Sequence, residues 1–128
     1  MKKILVVDDE ALILTALSRA LTSPRVEVMT AKTGGEALSM IRSDYYQLCF
    51  LDIHLPDCDG IDIMKTIKEI SPETSVVVMS SKVLDRETKE AIEEQAHMYI
   101  PKPFELFHIK MIVKKLFDDT GSLPGDRA

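Results

Sequence analysis

Short apolar runs alternate along this chain with longer stretches whose apolar residues recur at helical spacing. The first run, Ile4–Val7, stops at Asp8 and Asp9, and such runs bounded by polar residues predict buried parallel strands. Ile13, Leu17, Ala20 and Leu21 then share a helical face, and Pro24 prevents that helix from continuing. Val26–Ala31 predicts a second strand, with Val26, Val28 and Thr30 on one face. Gly34-Gly35 opens a short helix carrying Ala37, Leu38 and Ile41, and Tyr46–Leu51 predicts a third strand. A loop is expected from Ile53 through Pro56 to Gly60, then a helix marked by Ile63, Met64, Ile67 and Ile70 and stopped by Ser71-Pro72. Ser75–Met79 predicts a fourth strand. Asp85–Gln95 predicts a weakly amphipathic helix whose main apolar residues are Ala91 and Ile92. Tyr99-Ile100 marks a brief fifth strand, and Leu106, Ile109, Val113 and Leu116 stripe the last helix. Strands alternating with helices throughout predict an α/β fold, a doubly wound parallel sheet with helices on both faces and right-handed crossovers.

Composition narrows the function more than the fold. The 128 residues fit one domain, and 45% hydrophobic with 29% charged residues describe an ordinary globule. A net charge of −5 argues against a phosphate-backbone binder, which would show a basic stripe. Cys49 lies in a strand-like run and Cys58 in a loop, so no disulfide framework is expected and a reducing cytoplasm is the natural location. Met1-Lys2-Lys3 leads into too short an apolar run for a signal peptide or a membrane span. The stretch Asp118–Ala128 is polar, with Gly121, Pro124 and Gly125, and is expected to be a tail or the start of a linker after a domain covering 1–117.

The strand ends carry the chemistry. Asp8 and Asp9 follow the first run, Asp52 the third, Ser80 the fourth, and Lys102 follows the fifth at one remove. In doubly wound sheets, ligands bind beyond the carboxyl ends of the strands where the winding reverses. If these strands are parallel neighbours, three carboxylates, a hydroxyl and an ammonium share one crevice. Clustered carboxylates repel unless a cation joins them, and magnesium is the default hard ion where phosphate is handled. Each residue also has a plainer reading. The Asp8-Asp9 pair taken alone is better explained by loop solvation or capping, Ser80 by capping of the next helix, and Lys102 by solvation.

At these positions the chain resembles the receiver domain of two-component response regulators, from about Lys2 to Phe117. The matching motifs are Ile4-Leu5-Val6-Val7-Asp8-Asp9-Glu10, Leu51-Asp52-Ile53-His54-Leu55-Pro56 with Gly60, Val78-Met79-Ser80-Ser81, and Tyr99-Ile100-Pro101-Lys102-Pro103-Phe104. The resemblance implies a flavodoxin-like sheet of five strands in order 2-1-3-4-5. It implies that Asp52 accepts a phosphoryl group from a phosphohistidine on a sensor histidine kinase or phosphotransfer protein. Magnesium would be bound directly by Asp9, the Asp52 carboxylate and the backbone carbonyl of His54, and by Asp8 through water. Lys102 would pair with Asp52 and then with phosphoryl oxygens, Ser80 would bond a phosphoryl oxygen, and Tyr99 would change rotamer in response. It also implies a cis Lys102-Pro103 bond. The surface of the fourth helix, fifth strand and fifth helix is then the expected partner or dimer face, with no direct contact to nucleic acid and none to a membrane. Phosphoryl transfer needs charge neutralisation and in-line positioning above all, and a carboxylate attacks without a general base.

His54, two positions after Asp52, is expected to be a solvent-facing side chain at the rim of the site. Ser81 stands where the family usually has a smaller residue. Met29, Met40, Met64, Met79 and Met111 fall mostly at core-facing spacings, and Lys110, Lys114 and Lys115 form a solvated face. A haloacid-dehalogenase-type enzyme would also use an aspartyl phosphate, but it wants an aspartate where His54 stands and a cap domain for which no length remains. A receiver-like module that is never phosphorylated is disfavoured by the intact Asp8-Asp9 pair, Asp52, Ser80 and Lys102.

Overall fold

The computed structural model describes residues 1–121, and the side chains of residues 1–118. Its elements alternate as predicted: β1 (Lys2–Val7), α1 (Ala11–Leu21), β2 (Val26–Ala31), α2 (Gly34–Ser43), β3 (Leu48–Asp52), α3 (Gly60–Ile70), β4 (Ser75–Ser80), α4 (Arg86–Gln95), β5 (Met98–Pro101) and α5 (Leu106–Gly121). All strand pairs are parallel, in the order β2-β1-β3-β4-β5. The winding reverses at β1 and β3, the innermost strands of the two halves.

Strand alternation sorts the core into two layers. Leu5, Val7, Cys49, Leu51, Val76 and Val78 pack under α2, α3 and α4, against Ala37, Ile41, Met64, Ile67 and Ile92. Ile4, Val6, Leu48, Phe50, Val77, Met79 and Ile100 pack under α1 and α5, against Leu14, Leu17, Ile109, Ile112 and Leu116. Fully burying each such aliphatic side chain stabilises the fold by about 1.5–3 kcal/mol. The central strands are buried on both faces, which is why they read as unbroken apolar runs.

Several element ends differ from the expectation, each for a local reason. β3 begins at Leu48 rather than Tyr46, because the chain joins the sheet only where Leu48 pairs with Ile4. Asp52 and Ser80 are the last residues of their strands, not the first residues of loops. Helix α3 starts at Gly60, capped by the Asp59 carboxylate, which accepts from Ile61 N at 2.9 Å. Ser80 does not cap α4; Asp85 does, accepting from Thr88 N at 2.7 Å. The polar stretch expected as tail from Asp118 begins as helix, since α5 runs to Gly121; helical hydrogen bonds propagate past the last buried side chain. The remainder, 122–128, lies outside the described residues. The Lys102-Pro103 bond is cis, as expected. Among the methionines, Met64 and Met79 are fully buried, whereas Met29 and Met111 are exposed.

The β3–α3 loop is clamped from two sides. Asp57 accepts from Gly34 N at 2.9 Å and Gly35 N at 3.0 Å, so it caps α2 from a distance. Gly60 packs so closely on the strand end that a Cβ there would lie 2.3 Å from Ile53 Cα. Gly60→Ala must therefore push backbone against backbone and should cost about 1–3 kcal/mol, the usual range for overpacking. At Gly35 a Cβ would meet only Asp57 Oδ2 at 3.6 Å, so Gly35→Ala should be neutral or stabilising by up to about 1 kcal/mol. Urea unfolding midpoints of the two variants measure this contrast, and equal shifts would refute it.

Burial pushes the Cys49 thiol up to about 12, so it should resist a thiol reagent at mild pH until the protein unfolds. Cys58, only partly covered, should react in the folded state. Two thiols titrating together in the native protein would contradict this placement.

Candidate functional site

Strand register brings the polar residues together. Val7 pairs with Leu51, so Asp8 and Asp52 stand side by side at the ends of β1 and β3. Asp52 pairs with Met79, which puts Ser80 one step further out, and Ser80 pairs with Pro101 just before Lys102. The Lys102 N–H donates to the Ser80 carbonyl at 2.8 Å, extending the ladder to the residue that carries the ammonium. Asp8, Asp52 and Ser80 are all buried, and Asp9 is exposed at the rim.

The Lys102 ammonium is the centre of the charge network. Its Nζ donates to Asp8 Oδ2 at 2.6 Å, Asp52 Oδ2 at 3.1 Å and Glu10 Oε1 at 3.2 Å. The expected pairing with Asp52 is present, but Asp8 is the closer partner. Burial works to lower the pKa of Lys102, yet its bonds to Asp8 and Asp52 outweigh this and hold the ammonium above the ordinary lysine value. Burial pushes the Asp8 carboxyl up, against the opposing pull of Lys102 and of the Glu10 N–H, which donates to Asp8 Oδ1 at 2.9 Å. The other oxygen of Asp52, Oδ1, accepts from His54 N at 2.9 Å.

Two residues bear on the site beyond the roles expected of them. Glu10 belongs to the quoted first motif, and its carboxylate joins Asp8, Asp9 and Asp52 in a cluster whose ligand atoms all lie within 4.8 Å of one another. Hard oxygen donors at that spacing suit a magnesium ion. The His54 side chain, expected to face solvent, is indeed exposed, but its Nε2 lies 2.8 Å from Ser80 Oγ. Sequence spacing carries no signal for that contact, because it joins the β3–α3 loop to the last residue of β4 through the packing of β3 on β4. Tyr99 is half-buried on β5 and packs with the α2–α3–α4 layer, to which Ser80 also points by strand alternation. A cavity of about 220 Å³ lies beside Tyr99, lined by Leu84, Lys89, Ile92 and Glu93. Among the described residues, no helix is long and apolar enough to cross a membrane.

Residues 4–114 match the family model described as "Response regulator receiver domain". The chain is 31% identical over 126 residues to the DNA-binding transcriptional regulator NtrC of Azospirillum brasilense, covering 96% of this chain and 26% of that protein. A CheY-like response regulator receiver domain protein from Methanospirillum hungatei superposes with a TM-score of 0.87 at 28% identity, covering 93% of this chain and 95% of that one. Response regulator protein TrrA of Thermotoga maritima, solved in complex with Mg(2+)-BeF, gives a TM-score of 0.79 at 33% identity, covering 91% of this chain and 99% of that one. The chain spans 7% to 52% of the length of such curated relatives. It therefore belongs to the response regulator receiver family, the phosphoacceptor class of two-component signalling, and its acidic cluster suits the magnesium such domains bind.

Lys102 offsets buried negative charge, so Lys102→Met should destabilise the fold by about 3–5 kcal/mol near neutral pH, the usual cost of orphaning a buried charge. The deficit should shrink towards about pH 4. Burial already raises the folded-state pKa of Asp8, so its charged form is the disfavoured one. The penalty is absent below the unfolded-state value and grows as pH rises through the folded one. Millimolar magnesium should recover part of the loss by supplying the missing positive charge. Urea midpoints at the two pH values, with and without magnesium, test this, and a pH-independent deficit would reject it.

Proposed function

We propose that Asp52 is the residue phosphorylated in this receiver domain. The observation that carries this is the pairing of a buried Asp52 carboxylate with Lys102 through Oδ2, beside an acidic cluster that opens to solvent at Asp9. An Asp52 oxygen attacks the phosphorus of a phosphohistidine on a sensor histidine kinase or phosphotransfer protein. A P–O bond forms, the N–P bond breaks, and its electron pair returns to the leaving imidazole, which takes a proton from solvent. Asp9, the Asp52 carboxylate and the His54 carbonyl would hold magnesium directly, with Asp8 through water. The ion would neutralise charge on the phosphoryl oxygens.

Around that centre, Lys102 is the second positive charge for the equatorial oxygens, and Ser80 the neutral donor. The acyl phosphate is later hydrolysed at the same site, with water attacking phosphorus and the Asp52 carboxylate leaving. Ser80 and Tyr99 form the route to output: drawing Ser80 towards the phosphoryl group frees space on the α3–α4 side, where the cavity beside Tyr99 lies. Helix α4 has only Ile92 buried, so its position is cheaply shifted. The face of α4, β5 and α5 is the surface that meets a partner or a second copy, and phosphorylation shifts the population of its two forms. A cytoplasmic location belongs to the same proposal, because both cysteines are free and suit a reducing compartment.

Incubation with magnesium and acetyl phosphate should add one phosphoryl group, stable to acid and labile to base, detected as a mass increase of the intact protein. Asp52→Asn should abolish it, since an amide is a poor nucleophile; undiminished labelling of that variant would overturn the assignment. Asp9→Ala should weaken magnesium binding more than Asp8→Ala, because a direct contact is lost rather than one through water. Calorimetric titration measures the difference, and equal effects would reject this division of roles.

A further inference from the structure

Ser80 Oγ makes no hydrogen bond to Asp52 or Lys102. Its contacts all lie on the other side, with the β3–α3 and β4–α4 loops. The Lys82 N–H donates to it at 3.1 Å, His54 Nε2 is 2.8 Å away, and the Lys82 carbonyl is its remaining acceptor at 3.3 Å. A hydroxyl offers one proton and two lone pairs, so these three partners take up its capacity. The His54 contact is the shortest of the three. His54 and Lys82, both partners of Ser80, line a cavity of about 490 Å³ between the two loops, with Cys58, Asp59 and Leu84 among others.

We propose that the His54 imidazole is a latch on Ser80, holding the hydroxyl away from the phosphoryl position until phosphorylation of Asp52 displaces it. This rests on the phosphoacceptor reading above and adds a residue to it. Ser80 has to leave His54 to reach a phosphoryl oxygen, so the energy of their bond opposes the switched state. His54 is therefore a positioning residue, acting through Ser80 rather than on the phosphorus. The effect has a definite size: a net intramolecular hydrogen bond corresponds to about a five-fold change in an equilibrium constant. It also has a definite dependence, because a latch has no consequence where there is no hydroxyl to hold.

The test is a double-mutant cycle on the whole chain, read as the affinity for magnesium with beryllofluoride as the phosphoryl mimic, by calorimetry. His54→Ala should tighten binding about five-fold when Ser80 is present and leave it unchanged in a Ser80→Ala background. His54→Phe, which keeps a flat ring without the nitrogens, should behave as His54→Ala does, separating the hydrogen bond from simple shielding. In the metal-free protein, Ser80→Ala should move the ¹⁵N resonance of His54 Nε2. An unmoved resonance overturns the latch. So does an affinity that falls, stays the same, or rises equally without Ser80. Beryllofluoride binding that depends on Asp52 but ignores His54 rejects the latch and leaves the phosphoacceptor reading standing. Binding that survives Asp52→Asn rejects both.

Discussion

A single ammonium among four carboxylates organises the active edge of this protein. Lys102 reaches Asp8, Asp52 and Glu10 at once, and Asp9 adds a further negative charge to the same cluster. Charges of one sign crowded into a partly dry crevice are unstable unless cations answer them, and one lysine cannot answer four acids. The remaining imbalance suits the site to a divalent ion. In the proposed reaction the phosphoryl group brings negative oxygens that need the same neutralisation. The fold tolerates the imbalance because the strands beneath it are held by two apolar layers whose packing does not depend on it.

Strand alternation also places the buried carboxylates and Ser80 on opposite faces of the sheet. Asp8 and Asp52 continue the rows of Ile4–Val6 and Leu48–Phe50, which face α1 and α5. Ser80 continues the row of Val76 and Val78, which faces α3 and α4, and Tyr99 packs into the same layer. In the proposed switch, a change at the phosphoryl position reaches the α4 side through Ser80, whose carbonyl accepts from Lys102 N while its hydroxyl contacts His54 and Lys82. The His54–Ser80 contact sits at that junction, where the proposed latch would resist the transition. Helix α4 is the element that responds in the proposed switch. Its sequence, Arg-Glu-Thr-Lys-Glu-Ala-Ile-Glu-Glu-Gln, has little apolar surface to hold it, and only Ile92 is buried.

The fold was legible because parallel strands covered on both faces leave unbroken apolar runs, and amphipathic helices leave a period near 3.6. Ile4–Val7 and Ser75–Met79 were recognisable as strands for that reason, as was the striped last helix. Element ends were less legible. Asp52 and Ser80 look like loop residues by polarity, yet they complete their strands, because backbone pairing of Asp52 with Met79 and of Ser80 with Pro101 continues past the last apolar side chain. The start of α3 was hidden because Gly60 is a poor helix former, and its presence reflects the closeness of Ile53.

For the site, the sequence by itself determined the inventory: the acidic pair, Asp52, Ser80 and Lys102 each follow an apolar run, and in a parallel sheet every such residue falls on the same edge. It also determined that the edge would be acidic and in need of a cation. Tertiary structure alone decided who touches whom. That Lys102 lies closer to Asp8 than to Asp52, that Glu10 turns inward to join them, and that His54 reaches Ser80 all depend on inter-strand register and loop packing. These contacts join residues 26 to 94 positions apart. Local pattern reports the period of a segment and what bounds it. It holds no record of the few ångströms by which one strand end is set against the next, and a hydrogen bond forms or fails within that distance.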